Sequence, residues 1–223
     1  MAKKKEEILS SFKKSTESTV RAITNKTNIN IQFDNNNVRQ HDSISLPRIN
    51  DKLTSNEISF IRGRSDSASL VNKFHNFASH SKIRPKNDQK AIIFDELEFL
   101  RCESLGAEKL PGVKKNIDFV DNQILQKLDK GQTLSRPLTF KFILKNNIFQ
   151  ERISKKVLLS SDSIIEHLLK VVKSKKFPLS ASLDNQNDFS KMSLDLINSV
   201  FKMENLNSEE TQDKQDSEDK ENE

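Results

Sequence analysis

The spacing of apolar residues predicts a chain that is mostly helical. After Leu53, apolar residues recur at intervals of three and four, which places them on one face of an α-helix. A further short helix precedes this region. The predicted helices cover residues 6–24, 54–77, 88–109, 113–130, 136–150, the segment after 163 and the segment around 189–200.

Two of these helices carry a capping-box signature at their start. Thr54 is followed three residues later by Glu57, and Ser163 by Glu166. In such a box the hydroxyl and the carboxylate each accept a hydrogen bond from a backbone amide that the first turn leaves free. We therefore expect helices to begin at both places.

A small β-element is predicted before the helical region. Ile29, Ile31 and Phe33 alternate with polar residues, a pattern typical of a half-buried strand. Residues 34–37 are Asp and Asn, which tolerate the left-handed backbone of turns, and residues 43–46 offer a second strand. The sequence thus predicts a mainly α fold with a minor β part (α+β): a helical bundle with a short β-hairpin within residues 29–46.

Charge divides the chain into segments. Residues 204–223 hold nine acids against two lysines, a net charge of −7, which leaves +12 for the rest of the chain's total of +5. Leu206 is the one apolar residue of this segment, which is too few to form a core, so we predict a disordered acidic tail. We predict a basic segment at 1–17, one helical domain at 18–203 and the tail at 204–223.

Composition excludes several function classes. The four glycines do not form a phosphate-binding loop, so we expect ATP to be bound by another chain. The single Cys102 allows no internal disulfide. No apolar run is long enough to span a membrane, and the N-terminus lacks the apolar core of a secretory signal. A cytoplasmic location is expected.

Two pairs of residues are candidates for a partner-binding site. Arg62 and Asp66 are four residues apart on a narrow polar stripe that opposes a broad apolar one, so this stripe is a candidate contact surface; the alternative is an ordinary helical ion pair. His75 and His80 are five residues apart, about 140° around a helix, unlike the i, i+4 histidine pair that binds a metal. We predict no metal site in this chain.

Arg101 is expected to form a structural ion pair. It projects at the same angle as several apolar residues of its helix, and Glu98, three residues earlier, can pair with it. A buried charge needs such a partner because desolvation alone costs several kcal/mol. No arrangement of a nucleophile with a base can be proposed from local spacing, so no catalytic residue is predicted.

Four short motifs follow one another along the chain. The first is an R-G-x-x-D pattern at Arg62, Gly63 and Asp66. The others are an H-x-x-A-x-H-x-x-x-x-P pattern at His75, Ala78, His80 and Pro85, an E-x-x-R-x-E-x-x-G-A pattern at Glu98, Arg101, Glu103, Gly106 and Ala107, and a G-V-x-x-N pattern at Gly112, Val113 and Asn116. In this order the motifs resemble those of one family, the CobT subunit of aerobic cobaltochelatase, and the resemblance covers about residues 18–203.

The resemblance implies a supporting role in a larger enzyme. In that family the subunit pairs with a CobS-like AAA+ ATPase and acts with a large CobN-like chelatase subunit. The complex uses ATP and Mg²⁺ to insert Co²⁺ into hydrogenobyrinic acid a,c-diamide during cobalamin synthesis. The expectation is therefore a non-catalytic adaptor, without activity of its own, whose docking residues are Arg62 and Asp66, with His75 and His80 next.

The family pattern continues through an acidic linker into a von Willebrand A domain with a metal-binding D-x-S-x-S motif, which this sequence lacks. The resemblance thus implies either a truncated product or a paralogue without that domain. Two other functions stay open. The basic body is compatible with a helical nucleic-acid-binding protein, although the sequence holds no aromatic-basic RNA-binding motif. An adaptor of a MoxR-type AAA+ machine with a substrate unrelated to cobalt would share the same features.

Overall fold

The computed structural model describes residues 2–34, 39–40, 43–50, 53–128 and 131–220, with side chains described between residues 6 and 206. The described chain is mainly α-helical with one small sheet, which confirms the predicted fold class. The helices are α1 (Ala2–Thr24), α2 (Ser55–Phe74), α3 (Phe77–Ile83), α4 (Asp88–Lys109), α5 (Pro111–Lys127), α6 (Arg136–Ile148), α7 (Lys155–Leu159), α8 (Ile164–Lys173) and α9 (Gln186–Lys220), with a 3-10 turn at Leu179–Ser182.

The sheet contains both predicted strands but pairs them differently from the predicted hairpin. Strand β1 (Asn30–Phe33) runs parallel to β3 (Ser43–Leu46), with Ile31 opposite Ile44. The antiparallel partner of β3 is β2 (Arg39–Gln40). This strand was not predicted, because two residues are too few to show an alternating pattern. A hairpin is therefore present within residues 29–46, but β2 and β3 form it. His41 and Asp42, which join these two strands, lie outside the described residues.

The first predicted capping box is confirmed and the second is wrong. The Thr54 hydroxyl accepts from the Glu57 amide at 3.2 Å, and the Glu57 carboxylate accepts from the Thr54 amide at 2.9 Å. Ser163 instead has helical backbone angles, φ −57° and ψ −22°, and makes no capping bond. Asp162 caps this helix, because its Oδ1 accepts from the Ile164 amide at 3.3 Å.

Other helix boundaries differ where the chain turns sharply. The predicted helix over 54–77 is interrupted after Phe74, because His75 adopts an extended conformation with φ −87° and ψ 128°. The short helices α3 and α7 were not predicted, since seven and five residues are too few to show a helical period. The break predicted at residues 110–112 is brief, and α5 begins at Pro111, a residue whose fixed φ suits the first helical position.

The described chain forms two compact units, each with its own buried residues. The first comprises Met1–Phe77 and Phe99–Asp129. The second comprises Ala78–Glu98 and Lys130–Glu223. The boundaries predicted at residues 18 and 204 stay predictions.

The core of the first unit lies between α1, α2, α5 and the sheet. One cluster of apolar side chains joins α1 to the sheet: Val20, Ile29, Ile44 and Leu46. A second cluster joins α1, α2 and α5: Ile23, Leu70, Val113 and Ile117. Because the second cluster takes side chains from all three helices, it holds α5 against α2.

In the second unit, α9 packs on α8 and on the 3-10 turn, and α6 packs on α7 and α8. Arg136 at the start of α6 donates to Asp162 at 2.9 Å and to Glu204 at 2.6 and 3.1 Å. Glu204 was predicted as the first residue of the tail, but this contact anchors it, and α9 continues to Lys220. Side chains are described as far as Leu206, and the disorder predicted for the remainder of the tail stays a prediction. None of the described helices is long and apolar enough to cross a membrane.

Two glycines of the first unit allow helices to approach closely. A Cβ on Gly63 of α2 would overlap the Asn116 carbonyl and would lie 2.5 Å from Val120 Cγ2, both on α5. A Cβ on Gly106 of α4 would overlap the Leu70 side chain of α2. Backbone and side chain of α5 therefore occupy the space that a larger residue at position 63 would need.

We predict that Gly63→Ala destabilises the protein, because the added methyl group must push α5 away from α2. Overpacking of this kind costs about 1–3 kcal/mol. Thermal unfolding should show a lower midpoint for this variant. Gly112→Ala is the matched control, since a Cβ at Gly112 meets nothing within 4 Å. Equal midpoints for Gly63→Ala and wild type would show that α2 and α5 are not in close contact.

Candidate functional site

The first unit contains an open cleft at the point where α5 begins. Its volume is about 400 Å³. Residues of α1, of α2, of the start of α5 and the preceding Leu110 line it: Ser15, Thr16, Thr19, Arg62, Ser65, Asp66, Leu110, Pro111, Gly112, Val113 and Asn116. Two motifs that are separate in sequence, R-G-x-x-D and G-V-x-x-N, thus contribute to one cleft.

Asp66 lies in the wall of the cleft and is 3% exposed. Its Oδ2 accepts a hydrogen bond from Asn116 Nδ2 at 2.8 Å. The expected alternative for Asp66 was an ordinary helical ion pair with Arg62. In the structure Arg62 is exposed, and its positive charge acts on Asp66 by Coulomb attraction. The hydrogen-bond partner of the carboxylate is the neutral amide of Asn116 on the neighbouring helix.

Burial dominates the electrostatics of Asp66. Removal from water raises the pKa of this carboxyl group above its ordinary value, and the hydrogen bond from Asn116 and the charge of Arg62 lower it by less. The ionised form is therefore held in the folded protein at a cost. A residue kept under such conditions in a cleft is a candidate for function.

Ser65 and the start of α5 contribute the other polar groups of the cleft. Ser65 is 2% exposed, and its Oγ has no hydrogen-bond partner in the described part of the chain. The start of α5 has no side-chain cap, because Leu110 occupies the N-cap position. Pro111 has no amide hydrogen to satisfy, and the amides of Val113 and Lys114 donate to the Leu110 carbonyl.

The cleft contains two of the four predicted docking residues, and its lining does not include His75 or His80. Arg62 and Asp66 share the cleft. His75 is 9% exposed at the end of α2, with its ring edge-on to Phe77 at 4.4 Å between centroids. His80 is 8% exposed and belongs to the second unit.

His80 takes part in a polar cluster that the sequence did not reveal. Its Nε2 lies 2.8 Å from Asp95 Oδ1, and its ring stacks on Phe94. Arg84 donates to both oxygens of Asp95 at 2.8 Å. Burial raises the pKa of Asp95, but the hydrogen bonds from His80 and Arg84 outweigh it and lower that pKa to about 2.

Arg101 is buried in the first unit, as its position on the apolar face required. It is 2% exposed, and its Nη2 donates to the Phe74 carbonyl at 2.8 Å. This bond satisfies a carbonyl at the end of α2. Glu98 is also 2% exposed, and its pairing with Arg101 stays a prediction. Glu103 of the same motif accepts a short hydrogen bond from Ser67 Oγ at 2.5 Å, which the sequence did not indicate.

Comparison with known proteins identifies one family. A family model described as cobalamin biosynthesis protein CobT matches residues 6–223. No solved structure matches the chain.

We predict that Asp66→Asn stabilises the protein near pH 7. The raised pKa of Asp66 means that the folded state disfavours the ionised carboxylate. The wild type therefore regains stability as pH falls through the pKa of the folded state. The advantage of Asn disappears below about pH 4, because the carboxyl group of the unfolded chain is then protonated as well. The melting midpoint should rise by about 2–4 °C at neutral pH, equivalent to about 1 kcal/mol. A lower midpoint for Asp66→Asn at pH 7 would contradict the unfavourable burial.

We predict the opposite sign for Asp95→Asn. The lowered pKa of Asp95 contributes stability above its unfolded value near 3.9, and this contribution is lost as pH falls toward about 2. The variant should lose on the order of 2 kcal/mol at pH 7 and approach the wild type at the acid end. Urea unfolding at several pH values measures this, with the exposed Asp184→Asn as control. A pH-independent difference would mean that the charge of Asp95 is not what stabilises the cluster.

Proposed function

The chain belongs to the CobT family of cobalamin biosynthesis proteins, and from this premise we propose that it is a non-catalytic subunit of an ATP-dependent cobaltochelatase. Its role is to dock on the AAA+ ATPase subunit of that complex. The large chelatase subunit is the further partner, and a corrin ring is the acceptor of cobalt. ATP, Mg²⁺ and Co²⁺ belong to the complex, since this sequence has no glycine loop for a nucleotide.

The observation that carries the proposal is the convergence of two motifs on one open cleft. Arg62 and Asp66 come from α2, and Gly112 and Asn116 come from the start of α5. Gly63 makes this convergence possible, because it lets the two helices approach. A cleft that is open, partly apolar and rimmed by an exposed arginine can receive a group from another protein.

Burial restricts how the proposed docking residues act. Arg62 is exposed and can meet a partner directly. Asp66 is buried and can be reached only through the cleft. His75 and His80 are at most 9% exposed, so their contribution to docking would come from shaping the surface.

We predict that the full chain co-purifies with the AAA+ ATPase encoded beside it, in at least one nucleotide state. Arg62→Ala should weaken this binding about three- to tenfold, mainly through slower association, as is typical of charges at an interface rim. Arg64→Ala is the matched control, because residues two apart on a helix do not share a face. Biolayer interferometry at two salt concentrations measures both rates.

Failure of the wild-type chain to bind this ATPase with ATP, with ADP and without nucleotide would show that the adaptor role is wrong. Binding that is equally weakened by Arg62→Ala and Arg64→Ala would show that general positive charge, and not the cleft, is responsible.

A further inference from the structure

We propose that the cleft at the start of α5 receives a basic side chain of the partner protein, whose ammonium or guanidinium group pairs with Asp66. This inference rests on the proposed function for the identity of the partner. The chemistry of the cleft is argued from its own residues and can be tested without the partner.

Among the residues that the structure describes, no cation lies at hydrogen-bond distance from the buried carboxylate of Asp66. Within the described residues its hydrogen bond is the one from Asn116, a neutral amide. A carboxylate that is 3% exposed loses most of its hydration, and one hydrogen bond from a neutral donor offsets only part of the free energy that this desolvation costs. The raised pKa of Asp66 agrees with this deficit. A cation bound in the cleft would supply the missing charge.

Arg62 does not remove the deficit from within the chain. Its side chain is exposed at the rim, where water and salt screen its charge. Asp66 lies in a medium of lower dielectric, where an equal charge has a larger effect on a nearby group. The interior of the cleft is therefore selective for a positive group, although its rim carries a positive side chain.

Ser65 supplies a second acceptor beside Asp66. Its Oγ is buried and has no partner in the described part of the chain, although it lines the cleft. A hydroxyl offers two lone pairs, and an ammonium group brings three donors, so one ammonium can bind the carboxylate and the hydroxyl together. Ser15 and Thr19 line the same cleft.

The remaining wall suits the carbon chain of a lysine or arginine. Leu110 is 44% exposed, and Pro111 and Val113 follow it along the lining. Lysine and arginine side chains bury their methylene groups on apolar surface while the charged end finds a polar partner. The volume of about 400 Å³ accommodates one such side chain.

An anion is the competing occupant, because a helix N-terminus and an arginine both attract negative charge. The carboxylate of Asp66 already lines the cleft. A second anion would have to enter beside this buried charge. The repulsion between the two makes the anion the weaker candidate.

The net charge of +12 on residues 1–203 repels basic proteins in general. A basic partner group is therefore accepted at one place and discouraged elsewhere. Local attraction within overall repulsion is a means of specificity.

The first test uses small molecules on the full-length chain. Butylammonium, sodium butyrate and magnesium chloride are titrated separately at millimolar concentration, with backbone and Asn side-chain amide NMR signals as readout. We expect butylammonium to shift the signals of Ser65, Asp66 and Asn116 Nδ2, with the effect lost in Asp66→Asn and kept in Asp118→Asn, a substitution at an acid paired with Lys114 on α5. Shifts by butyrate or Mg²⁺ but not by butylammonium, or no shifts by any of them, would overturn the proposal.

The second test measures docking on the ATPase. Asp66→Asn should weaken binding about tenfold or more, because the basic side chain loses its buried counterion. Asp118→Asn should change it less than about twofold. Equal binding by Asp66→Asn and wild type would overturn the inference while the adaptor role survives.

The two failures are distinguishable. If the wild type does not bind the ATPase, the proposed function is wrong, and the butylammonium titration still decides the chemistry of the cleft. If the wild type binds the ATPase and butylammonium leaves Ser65 and Asp66 unshifted, the adaptor role stands and the inference about a basic side chain is wrong.

Discussion

The close approach of α2 and α5 at Gly63 is the constraint on which the candidate site depends. No side chain fits between Gly63 and the Asn116 backbone, so the amide of Asn116 comes within 2.8 Å of Asp66, three residues further along α2. The same contact brings the start of α5 beside Ser65. Gly63 is not part of the cleft lining, yet it determines which polar groups share the cleft, and the buried apolar cluster of α1, α2 and α5 keeps them in place.

Two aspartates show how the same side chain takes opposite roles in this protein. Asp95 is surrounded by Arg84 and His80, and its lowered pKa records a net favourable environment. Asp66 has a neutral partner and a raised pKa. Asp95 therefore contributes to stability, whereas Asp66 costs stability, and a charge that is kept at a cost is better explained by binding than by folding.

The helices and the burial of Arg101 could be predicted from the spacing of apolar residues, because an amphipathic stripe determines which positions face inward. The capping box at Thr54 followed from local chemistry, whereas that at Ser163 failed because Asp162, one residue earlier, caps the helix. Pairing between distant segments could not be predicted. Neither the parallel β1–β3 pair nor the contact of Asp66 with Asn116, fifty positions apart, leaves a signal in local spacing. The spaced glycines of the motifs were the available hint, since a glycine within a helix often marks close packing.

The most direct measurement of the central claim is the pKa of Asp66 itself. A carbon-13 NMR titration of the side-chain carboxyl in the full-length chain, free of partners, provides it. A pKa above the ordinary value of about 3.9 is expected, because the carboxylate is buried with a neutral amide as its hydrogen-bond partner. A pKa at or below that value would mean that the carboxylate is already compensated within the chain, and it would contradict both the cost of Asp66 and its availability for a basic partner.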